Sequence, residues 1–86
     1  MRGRELVGLN LRRLRVERDV SQERLAFDSG VDRSYVGGME RGEENPTVDV
    51  LEKLATTLDV PLAALFVLAE GELPPGLRKG RKPSSI

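Results

Sequence analysis

The residues with the most chemistry to offer lie close together in the chain: Arg33, Ser34, Gly37, Gly38 and Arg41. On a helix turning about 100° per residue, these five fall within one arc of about 140°. Val36, Met39 and Glu40 fall outside that arc, with Tyr35 and Glu40 at its two borders. One face is therefore apolar apart from a single acid, and the other holds only arginine, serine and glycine. Such a face suits the major groove of a DNA duplex. Arginine donates two hydrogen bonds to O6 and N7 of guanine, and serine bonds to several bases or to a phosphate. Glycine lets a helix backbone come close to the duplex. Two adjacent glycines cost roughly 1 kcal/mol each relative to alanine, which an ordinary solvated face has little reason to accept. Packing against a neighbouring element is the alternative reason for them.

Other chemistries lack their parts. The chain has no cysteine and no histidine, so neither disulfides nor a Cys/His zinc site can form. A serine nucleophile would lack the usual imidazole base, and no carboxylate sits in a recognisable catalytic setting. The reading is a non-enzyme with no metal, no cofactor and no evident small-molecule ligand. With 86 residues, 38% apolar and 33% charged, the chain supports one hydrophobic core. The start, MRGREL, has no apolar stretch behind it, so no signal peptide is expected. The most apolar run, Val60 to Ala69, is half of what a membrane span needs. A cytoplasmic protein with no membrane partner is expected.

A formal net charge of zero argues at first against a nucleic-acid partner. Its distribution argues otherwise. Residues 1–41 carry +2, residues 42–72 carry −6, and residues 73–86 carry +4. A neutral total thus hides a segregated chain.

Several elements hold this face in place, and the apolar positions Val7, Leu11 and Leu14 predict an amphipathic first helix from Arg4 to about Arg18. Ser21 is a good N-cap for a second helix, Gln22 to about Asp28, which buries Leu25 and Ala26 and stops at Gly30. Val31 plugs the turn, and Asp32 caps a third helix from Arg33 to about Arg41, ended by Gly42. Glu43-Glu44-Asn45-Pro46 is a turn by composition. Thr47 caps a fourth helix burying Leu51, Leu54, Ala55 and Leu58, and Pro61 suits the first turn of a fifth, Leu62 to about Glu70. The expected fold is all-α: a compact five-helix domain over residues 1–70 with a helix-turn-helix at its second and third helices. Residues 71–86, with three prolines and three glycines, read as a flexible basic tail.

On the pieces SQERLA at 21–26, MERG at 39–42 and NPTVDVLEKLA at 45–55, the chain resembles the Cro/repressor-type (XRE-family) helix-turn-helix domain over roughly residues 5–70. The resemblance implies a homodimeric, sequence-specific transcriptional regulator on double-stranded DNA. It places Gln22 on a phosphate, assisted by the helix N-terminus. It places Arg33 and Ser34 on bases, with Tyr35 beside them, and Arg41 and Asn45 near the sugar-phosphate backbone. Gly38 matches another base-reading position but brings no side chain. Glu43 and Glu44 depart from the basic residues often found there, and either weaken affinity or point away from the duplex. The resemblance also pairs Glu40 with Arg15, a structural pair that satisfies a buried carboxylate. The stretch DRSYVGGMERG is most similar to controller proteins of restriction–modification systems.

The fifth helix carries more apolar residues than one small core can use. Leu62, Leu65, Phe66, Val67 and Leu68 are the expected dimer interface, which would set two recognition helices about 34 Å apart on a pseudo-palindrome. Arg12 and Arg13 read as a solvated face or, less favoured, as phosphate contacts. Arg78, Lys79, Arg81 and Lys82 either add a nonspecific electrostatic attraction to DNA or merely solubilise the end. The competing function is a protein-interaction module, such as the antitoxin of a toxin–antitoxin pair.

Overall fold

Four capped α-helices and one short turn enclose a single apolar core. The computed structural model describes residues 2–68. The tail read over 71–86, with its four basic residues, lies outside the described residues, as do the last two positions of the expected fifth helix. The helices are α1 (Gly3–Glu17), α2 (Gln22–Ser29), α3 (Arg33–Glu40) and α4 (Val48–Thr57), followed by a 3-10 turn at Leu62–Phe66. Among the described residues there is no strand.

Local chemistry sets the boundaries. Ser21 Oγ accepts the Arg24 backbone N–H at 2.9 Å, and Thr47 Oγ1 accepts that of Val50 at 3.1 Å. α1 and α4 end alike, each with an aspartate in the left-handed region: Asp19 at φ 55° and Asp59 at φ 58°. The valine after each aspartate turns back onto its helix. Val20 N–H donates to Arg15 O at 3.1 Å, and Val60 N–H to Ala55 O at 3.0 Å. This is the Schellman ending, and both valines lie against the core. Aspartate tolerates this backbone better than most residues.

Leu11, Leu25, Val36, Met39, Leu54 and Leu65 are the largest fully buried side chains. α1 crosses α3 at Gly8, where a Cβ would overlap the Met39 carbonyl oxygen. Only glycine permits that approach, so α1 fixes the back of α3 at backbone range.

The expected fifth helix is instead the five-residue 3-10 turn, after which Val67 is extended. Asn10 explains the change. Its side-chain amide, buried on α1, lies 3.0 Å from Leu65 O and 2.9 Å from Val67 O, besides 3.1 Å from Leu6 O. These carbonyls gain a partner that a continuing helix would otherwise supply. The same geometry corrects the reading of Leu65 as an interface residue: it is fully buried and closes the core.

Candidate nucleic-acid interface

One network of side chains ties α1, α2 and α3 together behind the expected DNA face. Arg15 Nε donates to Glu40 Oε2 at 2.7 Å, and Arg15 Nη2 to Glu40 Oε1 at 3.0 Å. Gln22 Nε2 donates to the same Oε1 at 3.0 Å. Arg15 Nη1 also donates to Val20 O at 2.8 Å, holding the chain just before α2. The Glu40 side chain is only 4% exposed, so these donors replace the hydrogen bonds that water would otherwise give its carboxylate. Hydrogen bonding to Glu40 raises the already high pKa of Arg15, against the effect of burial. With one Nε2 proton given to Glu40, Gln22 has its second proton and its helix N-terminus for an anion.

α3 starts on a firm cap. Asp32 accepts the backbone N–H groups of Ser34 at 3.1 Å and Tyr35 at 3.2 Å, and also the Ser34 hydroxyl. The Ser34 hydroxyl, then the Tyr35 and Ser34 amides, hold the Asp32 carboxyl below the usual aspartate value. While that bond holds, the Ser34 oxygen is left free as an acceptor. Arg33 and Ser34 are exposed, and Arg33 has no ion pair among the described residues. Tyr35 is half-buried and packs against the core. Arg41 and Asn45 are exposed, Arg41 bonding Glu43 Oε1 at 3.1 Å.

The glycines do not lie bare, as their side of the wheel suggested. Gly37 and Gly38 are both buried, beneath side chains from neighbouring elements. A Cβ on Gly37 would stand 3.3 Å from Arg41 Nη1 and 3.6 Å from Gln22 Oε1. One on Gly38 would stand 2.8 Å from both Cγ and Oε2 of Glu44. The middle of this face is therefore made by side chains that overhang α3, not by α3 itself.

Phe66 and Val67 are 46% and 51% exposed, while Leu62 and Leu68 are half-buried. Sequence reasoning missed Gly8, Asn10 and the overhanging Glu44. Gly8 and Asn10 both break the apolar spacing of α1, and that break was the available signal. Nothing local marks Glu44, because its neighbour is set by the turn at Gly42.

Comparison with known proteins agrees with this geometry. The helix-turn-helix family model matches residues 11–65. The chain is 43% identical over 75 residues to the uncharacterized HTH-type transcriptional regulator y4dJ of Sinorhizobium fredii, covering 87% of this chain and 96% of that one. The crystal structure of the restriction-modification controller protein C.AhdI from Aeromonas hydrophila superposes with a TM-score of 0.71 at 51% identity, over 73% of this chain and 96% of that one. The controller C.Esp1396I, solved as a tetramer in complex with its natural 35 base-pair operator, gives 0.70 at 32% identity, over 77% and 87% of the two chains. The matched segment contains α2, α3 and the turn between them, and the chain belongs to the helix-turn-helix family.

Proposed function

We propose that the chain is a sequence-specific DNA-binding transcriptional regulator that acts as a homodimer on a pseudo-palindromic operator, in the cytoplasm and without catalytic activity. The observation that carries this reading is the exposed Arg33–Ser34 pair at the start of a capped α3, braced from behind by the Arg15–Glu40–Gln22 network. Arg33 reads guanine, Ser34 offers an acceptor, and Gln22, Arg41 and Asn45 set the register on phosphates and sugars. Gly38 contributes room rather than contact. Similarity to C.AhdI and to operator-bound C.Esp1396I favours a controller of a restriction–modification system.

Phe66 and Val67, exposed at the end of the 3-10 turn beside α1, are the natural dimer contact, with Leu62 and Leu68 at its edge. Control then follows from protein concentration through the dimer equilibrium. Arg33→Ala tests the reading. Competition binding should lose the difference between operator and random duplex while circular dichroism keeps full helicity. Unchanged discrimination would refute the assignment of α3.

A further inference from the structure

We propose that Glu44 reads a base: seated on Gly38, its carboxylate stands where a side chain at position 38 would enter the major groove, and it accepts a hydrogen bond from an exocyclic amino group. This deepens, and rests on, the proposed DNA-binding function.

Three observations support it. First, the backbone brings residue 44 back over α3. Gly42, at φ 75°, turns the chain, and the Glu43 N–H donates to Gly38 O at 2.9 Å. This Schellman ending fixes the residues that follow against the helix they have just left. Second, the seat is already filled. Gly38 lies about 40° around α3 from Ser34, and the Glu44 side chain fills the space an alanine methyl would take there, 2.8 Å from the Cβ position. Third, the two neighbouring acids are treated differently. Glu43 is bonded to Arg41 at 3.1 Å, whereas Glu44 makes no hydrogen bond or ion pair among the described residues. Its carboxylate keeps all its acceptor capacity.

The chemistry then names the base. In the major groove, a carboxylate accepts from the N4 amino group of cytosine, or from N6 of adenine, and finds only acceptors on guanine and thymine at the equivalent edge. Arg33 supplies donors at the start of the helix, and Glu44 supplies an acceptor farther along. A half-site with cytosine or adenine on the strand that Glu44 faces, one to several pairs from the Arg33 guanine, follows from that order.

The test is competition binding of the full chain to its selected operator and to every single-base-pair variant of one half-site. Wild type, Glu44→Gln, Glu44→Ala and Gly38→Ala are compared. Wild type should prefer cytosine or adenine at one position by about tenfold. Glu44→Ala should level that position alone and leave the others intact. Gly38→Ala, whose methyl evicts Glu44, should disturb the same position and add nothing on top of Glu44→Ala. Glu44→Gln, which exchanges one acceptor for two amide donors, should move the preference toward a base with acceptors. Uniformly tighter binding to every duplex by the Glu44 variants, with the profile unchanged, would overturn the proposal and leave Glu44 an electrostatic brake. A wild-type protein that discriminates among no duplexes would instead overturn the DNA-binding reading beneath it.

Discussion

Arg15 on α1 and Glu40 on α3 are 25 residues apart in sequence and joined by two parallel hydrogen bonds, of 2.7 and 3.0 Å. The fork leaves the back of α3 fixed while its front stays open. Removing one partner strands the other charge in a nearly closed site. Arg15→Ala or Glu40→Ala should therefore lower unfolding free energy by about 3 kcal/mol, measured by urea denaturation. Replacing both by apolar residues of similar size should recover much of that loss. If the double variant is as unstable as the sum of the singles, the two residues act separately.

Gly8 sets how closely α1 approaches α3. Gly8→Ala improves helix propensity by about 1 kcal/mol yet drives a methyl into the Met39 carbonyl. Backbone cannot yield as a side chain can, so the net effect should be a loss of about 1–3 kcal/mol. Gly38→Ala, whose obstacle is the flexible Glu44 side chain, should not lower stability. Thermal melts of the two variants should move in different directions.

Asp32 makes the start of α3 sensitive to acid. Hydrogen bonds from the Ser34 hydroxyl, and then from Tyr35, lower its folded pKa. A lowered carboxyl pKa stabilises the fold fully above the unfolded value, about pH 4. That contribution disappears as pH falls through the folded value. The melting temperatures of wild type and Asp32→Ala should differ at pH 7 and converge as pH falls through the lowered folded value.

Val67 should control association without controlling the fold. Its side chain is half exposed, and its carbonyl keeps the Asn10 bond whatever the side chain. Val67→Glu should weaken the dimer at least about tenfold by sedimentation equilibrium, through burial of an unpaired charge, with helical content unchanged. A dimer of undiminished strength would place the interface elsewhere.

Much of this was legible in the sequence because it depends on near neighbours. Ser21, Asp32 and Thr47 cap the elements they precede, and the spacing of Leu11, Leu25 and Leu54 marks what is buried. The misreadings share a different cause. The apolar run after Pro61 reads as a helix until Asn10, some 55 residues earlier, takes its carbonyls. Gly37 and Gly38 read as bare groove-facing backbone until the turn at Gly42 lays Glu44 over the helix. Both depend on contacts that spacing along one element does not contain.

Sequence-specific binding is tested by selection with the purified full chain from a pool of random duplexes at near-physiological salt. A two-fold symmetric motif should emerge, with half-site centres about one helical turn apart and a guanine in each half that Arg33→Ala no longer selects. No enriched motif from a protein shown to be folded would contradict the account and move the weight to a protein-interaction module.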